Sequence, residues 1–159
     1  MGTPATIANE LTMSTTDDIR VDAPLEVTFS AILDQMGPNN VGEADRPMPM
    51  KIEAWPGGRW YRDLGNENGH FWGHVQAIKR PTLLEITGPL FLSSAVISNV
   101  QYRLTSVDGG TLITLKHTMM GVIPDDVRAA FAEMPMWPPM LERVRTAAEH
   151  AAGKNSRKP

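Results

Sequence analysis

The six residues Trp55-Pro56-Gly57-Gly58-Arg59-Trp60 constrain the fold more than any other stretch of this chain. A proline followed by two glycines makes a tight reversal, because proline presets φ and glycine takes positive φ at no steric cost. Before the reversal, Met48, Met50, Ile52 and Ala54 alternate along one side of an expected strand; after it, Arg59 to Leu64 reads as the next strand. The segment is expected to be a β-hairpin whose turn is set by its chemistry, with a tryptophan on each side.

The rest of the chain supplies an order of elements. Asp18 to Asp22 alternates like a short strand, and Ala23-Pro24 then opens a helix, with Asp22 placed to cap it. Val27, Phe29, Ile32, Leu33 and Met36 give that helix one apolar face, and Gly37-Pro38-Asn39-Asn40 ends it. Beyond the hairpin, strands are expected over 70–79, 82–87, 96–104 and 113–119, with Asp108-Gly109-Gly110 as the turn between the last two. Gly73 is a place where a bulge would exchange the faces of Trp72 and His74 against Phe71 and Val75. A short helical piece follows Pro124, and a longer helix starts at Pro138-Pro139 with Trp137, Met140, Leu141, Val144 and Ala148 on one face. Strand, helix, a run of antiparallel strands and a long helix make an α+β arrangement with helices on one face of one sheet.

Composition narrows the function classes. With 159 residues, 42% hydrophobic and 21% charged, the chain is long enough for one domain with its own core. A net charge of −3 does not suit nucleic acid, whose phosphates call for a basic face. Without cysteine there is no disulfide framework, thiolate nucleophile or cysteine-based zinc site. No apolar run approaches the roughly 20 residues of a membrane span. Residues 1–16 lack the basic start and apolar stretch of a secretory signal, so a cytoplasmic location is the expectation. They read as a disordered leader, in which Gly2 and Thr6 fit a short myristoylation pattern with no basic second signal. Residues 153–159 read as a disordered tail, leaving a single domain over 17–152.

Several of these stretches resemble the START-like (SRPBCC) superfamily, and within it the family named after the activator of the ninety-kilodalton heat-shock protein ATPase. The carrying residues are Val21-Asp22-Ala23-Pro24, Pro56-Gly57-Gly58-Arg59-Trp60, Gly73-His74-Val75 and Pro81-Thr82-Leu83-Leu84, then Gly110 to His117, and Trp137 with Leu141. They span roughly residues 18–150 in the family's order. The resemblance implies a helix-grip fold, in which a curved antiparallel sheet of about six or seven strands wraps a long C-terminal helix and leaves a cavity between them. The chain departs from the family in having no tryptophan between Gly37 and Asp45, and in carrying Pro135, Pro138 and Pro139 at the start of the last helix.

On that fold, the expected ligand-lining residues are Met50, Ile52, Trp60, Trp72, Val100, Tyr102, Leu115, His117, Trp137 and Leu141. The expected partner is a small apolar or amphipathic molecule, with no cofactor, no metal, no nucleic acid and no membrane, and a homodimer is a further expectation. His70 and His74 do not make a metal clip on a strand, where four residues span about 13 Å while zinc bonds are about 2 Å. His117 shares a strand face with Ile113, Leu115 and Met119; it either orients a ligand, acts as an acid–base group, or is bonded within the core. Were the protein a cyclase- or hydrolase-like enzyme, His117 would be its catalytic candidate, assisted by Glu53, His74 or Tyr102. Glu53 and Arg59 flank the turn as a cross-strand ion pair, or else Arg59 clamps a carboxylate. Ten methionines fit either an adaptable cavity lining or ordinary core filling. Three functions follow: non-catalytic binding of an apolar molecule, cyclase- or hydrolase-like catalysis, or contact with a chaperone as the family name implies.

Overall fold

A computed structural model describes residues 10–156. Strand β1 (Thr12–Val21) leads into helix α1 (Leu25–Met36), and a single 3-10 turn follows at Glu43–Asp45. Six strands come next, β2 (Lys51–Ile52), β3 (Arg59–Gly65), β4 (Asn68–Lys79), β5 (Leu83–Gly88), β6 (Val96–Val107) and β7 (Gly110–Gly121). Helices α2 (Asp125–Glu133) and α3 (Trp137–Ser156) close the described chain. All seven strands form one antiparallel sheet in the order β1-β7-β6-β5-β4-β3-β2, curved around α3 with α1 packed beside it. This is the helix-grip arrangement.

The hairpin at Trp55 to Trp60 forms, with Ile52 opposite Trp60 and Lys51 opposite Tyr61. Each glycine answers a different demand. Gly57 has φ +83°, and a Cβ on Gly58 would lie 1.8 Å from the Glu53 carbonyl oxygen. The turn is also tied to β4: Gly57 N donates to Val75 O and Val75 N donates to Gly58 O, both at 2.8 Å. The two tryptophans part company, Trp55 being 58% exposed and Trp60 only 2%. The strand expected before the turn shortens to Lys51–Ile52. Its approach is held elsewhere, since Met48 N donates to Asn40 O and Met50 N to Gly37 O, each at 2.9 Å.

Strand β1 is longer than expected and corrects the leader assigned to residues 1–16. Thr12 pairs with Met120 and the register runs unbroken to Val21 opposite Thr111, so residues 12–16 are the start of an edge strand rich in Thr and Ser. Residues 1–9, with the Gly2 pattern, lie outside the described residues. The tail assigned to 153–159 is likewise helical through Ser156, the last described residue; residues 157–159 lie outside. Asp22 does not cap α1. Pro24 occupies the cap position, while Asp22 N donates to Glu149 Oε1 at 2.9 Å and the Asp22 carboxylate pairs with Arg20.

The core lies between the concave sheet face and the two long helices. Phe29, Ile32 and Met36 of α1 and Leu141, Val144 and Ala148 of α3 pack onto Leu84, Ile86, Val100, Leu104, Ile113 and Leu115. A smaller cluster of Leu92, Val96, Met119, Ile123 and Phe131 sits under α2. Pro138 and Pro139 fall in the first turn of α3, where a missing backbone N–H costs nothing. Among the described residues, no helix is long and apolar enough to cross a membrane.

Candidate functional site

A cavity of about 780 Å³ opens where the sheet's concave face is not covered by helix packing. Its floor is Trp60 of β3, Trp72 of β4 and Tyr102 of β6; its roof is the N-terminal end of α3, Trp137, Pro139, Met140 and Arg143. Met36, residues 40–45 and Met48 close one side, Leu90 and Phe91 another, and residues 134–136 the mouth.

A bulge delivers Trp72 to this site. On β3 the consecutive residues Trp60 and Tyr61 pair with Gly73 and Phe71, so Trp72 is the extra residue of β4. Trp72 and Val75 thereby face inward, while Phe71 and His74 lie outside with their rings 4.9 Å apart. The Trp72 ring meets Trp60 edge-on at 4.9 Å and Phe91 at 5.7 Å, a continuous aromatic wall.

All three cavity tryptophans have their indole N–H satisfied by the protein. Trp60 Nε1 donates to Met36 O at 2.8 Å, Trp72 Nε1 to His70 Nδ1 at 3.1 Å, and Trp137 Nε1 to His117 Nδ1 at 3.1 Å. What they offer the cavity is apolar ring surface. Five methionines, Met36, Met48, Met134, Met136 and Met140, add flexible thioethers that fit irregular shapes. Tyr102 is fully buried, and its hydroxyl donates to Met140 Sδ at 3.7 Å, a weak acceptor. Burial pushes the Tyr102 phenol upward, against which the charge of Arg143 pulls it down, so it remains a neutral O–H.

Of the ten residues expected to line the site, the structure gathers Trp60, Trp72, Tyr102 and Trp137 around the cavity. Met50, Val100, Leu115 and Leu141 are packed in the adjoining core, and Ile52 is packed against it. His117 is 1% exposed and borders the aromatic rings of Trp137 and Phe131, at 5.4 and 5.6 Å between ring centres. Because Trp137 donates to its Nδ1, the proton sits on Nε2, which donates to Ser98 Oγ at 2.9 Å. Burial lowers its pKa to about 4, so the ring is neutral and serves as a hinge pin between β7, β6 and the start of α3.

The groups that would assist His117 in catalysis are not brought to it. Glu53 lies at the hairpin, where Arg59 Nε and Nη2 grip its two oxygens at 2.7 and 2.9 Å and Arg59 N adds a third bond at 2.9 Å. These bonds hold the Glu53 carboxyl down at about 2. Arg59 also lies over the Tyr61 ring at 4.7 Å, so its guanidinium is occupied on the surface rather than turned to the cavity. His74 Nδ1 meets Gly57 O at 3.1 Å, on the outer side of the sheet. Of the three, Tyr102 alone lines the cavity, and His117 does not line it.

Several lining residues escaped the sequence reading. Residues 40–45, Met134 and Pro135 belong to short connections, whose side-chain directions carry no period, whereas Met48, Met136 and Met140 are among the methionines expected on inward faces. Arg143 did carry a signal: it lies three residues beyond Met140 and six beyond Trp137, on the flank of the apolar stripe of α3.

A family model described as "Activator of Hsp90 ATPase homolog 1-like protein" matches residues 22–148. No curated protein sequence matches the chain. Among solved structures, a protein from Mesorhizobium loti superposes with a TM-score of 0.62 at 16% identity, covering 87% of this chain and 98% of that one. A protein from Rhizobium leguminosarum, described as putative uncharacterized, gives 0.65 at 15% identity, covering 87% and 95%. The di-domain ARO/CYC StfQ of the steffimycin biosynthetic pathway gives 0.64 at 10% identity, covering 96% of this chain and 55% of StfQ. At these identities the likeness is one of fold.

Proposed function

Since the chain belongs to the family of activator of Hsp90 ATPase homolog 1-like proteins, whose members share the helix-grip fold seen here, we propose that it binds a small, largely apolar molecule in the cavity beneath α3 without transforming it. The supporting observation is the cavity itself. Its volume of about 780 Å³ falls within the range of small-molecule sites, and half of its lining residues are aromatic or methionine, with Asn40, Glu43, Asp45 and Arg143 as the polar minority. The cavity tryptophans spend their hydrogen bonds on the protein, so an apolar guest displaces no bond from them. His117 serves this function by anchoring Trp137, and the methionines allow the lining to adapt to guests of different outline.

The neutral fluorescent probe N-phenyl-1-naphthylamine tests this reading. It is expected to bind saturably at one site with micromolar affinity, to receive energy from tryptophan emission and to raise the melting temperature. A signal that rises without saturating, with no change in melting temperature, would remove the basis for the proposal.

A further inference from the structure

Among the described residues, Arg143 is the one cation lining the cavity, and none of their carboxylates pairs with it. Its Nε is buried with no hydrogen-bond partner. The ion pairs among the described residues are Arg20–Asp22, Lys51–Asp63, Arg59–Glu53 and Arg145–Glu142, so the neighbouring Arg145 takes the nearby carboxylate and Arg143 takes none. Arg143 is half-buried as a residue, and Nε is the atom held away from water. Buried polar atoms in folded proteins almost always find a partner, and one left without is costly. Arg143 and Tyr102 line the same cavity. The Tyr102 hydroxyl can leave its weak thioether acceptor for a better one. Two donors, one charged, thus share a cavity with the rings of Trp60, Trp72 and Phe91 and with five methionines.

We propose that the cavity is built for an aromatic organic anion: a flat apolar body against Trp60, Trp72 and Phe91, with a carboxylate, sulfonate or phenolate oxygen paired to Arg143 and accepting from Tyr102. The proposal rests on the binding reading above and adds the charge of the guest to it. The planar guanidinium fork matches two oxygens of a carboxylate or sulfonate, which a lysine in its place would not. Glu43 and Asp45 also line the cavity, but both are exposed, where water and salt screen them from a guest bound deeper in.

Two probes with one skeleton separate the claims. 8-Anilinonaphthalene-1-sulfonate is N-phenyl-1-naphthylamine with one sulfonate added. The wild-type protein is expected to bind the sulfonate about tenfold more tightly than the neutral probe, the scale of a charge-assisted hydrogen bond. Arg143→Gln is expected to bring the ratio of the two affinities from about ten down to about one, and Arg143→Lys to restore part of it. Saturable binding of the neutral probe by both variants shows that they keep the cavity. If the wild type binds both probes equally, or Arg143→Gln weakens both alike, the anion proposal fails while the binding reading stands. If neither probe binds, both fail.

Discussion

Replacing Trp60 with alanine is expected to destabilise the fold by about 3–5 kcal/mol, the range for deleting a large buried aromatic side chain. Three losses coincide at this residue. The ring is 2% exposed and sits in the main core; its Nε1 satisfies the Met36 carbonyl at the end of α1; and it supports Trp72 edge-on at 4.9 Å. For a chain of this size the expected fall in melting temperature is roughly 10 °C. Trp55→Ala provides the contrast. That ring is 58% exposed on the far side of the same turn, and its loss is expected to stay within about 0.5 kcal/mol. Thermal or urea unfolding of the two variants checks the pair; equal losses would show that the turn, rather than the buried ring, carries the stability.

Acidification is expected to weaken the protein through His117. The unfolded chain binds the proton near the ordinary value of 6.5, the folded chain only near 4, because burial disfavours the imidazolium. Between those values the unfolded state holds more protons, so stability rises with pH. The His117 contribution is therefore fully present above pH 6.5, and about 3 kcal/mol is lost as the pH falls to about 4. The structural cost of protonation is specific: an imidazolium must donate from Nδ1, where Trp137 already donates at 3.1 Å. The Glu53 carboxyl titrates in a lower window, from its ordinary 4.5 to about 2, so it does not mask the effect. Urea unfolding at about pH 7.5 and about pH 4.5 measures it. His117→Gln is expected to be less stable than the wild type at the higher pH, but to lose less on acidification. An identical acid loss in both proteins would place the proton elsewhere.

How far the sequence could be read depends on whether a residue's environment repeats along the chain. The Pro-Gly-Gly turn was legible because Gly57 needs a positive φ and Gly58 lacks room for a Cβ, two requirements local to the turn. The sheet was legible because its strands alternate, and α3 because Trp137, Met140, Leu141 and Val144 recur at helical spacing. Inward-facing, however, is not the same as cavity-lining. Val100, Leu115 and His117 point inward as expected, but their part of the sheet is filled by helices and core side chains. Which inward residues stay uncovered is decided by where α3 begins and how residues 40–48 fold back, neither of which has a period. The bulge at Trp72 breaks the alternation of β4, so its face could not be assigned from spacing alone. Arg143 was passed over for a different reason. A charged residue on a helix flank ordinarily reaches water, and only the buried, unpartnered Nε sets this one apart.

The four tryptophans provide the most direct test of the cavity as a binding site. Trp60, Trp72 and Trp137 line it, and Trp55 lies outside on the surface. In a nitrogen-15-labelled sample titrated with N-phenyl-1-naphthylamine, the indole N–H signals of Trp60, Trp72 and Trp137 are expected to shift together and saturate, while that of Trp55 stays in place. Movement of Trp55 with the other three stationary, or no movement at all at saturating probe, would contradict a binding cavity beneath α3.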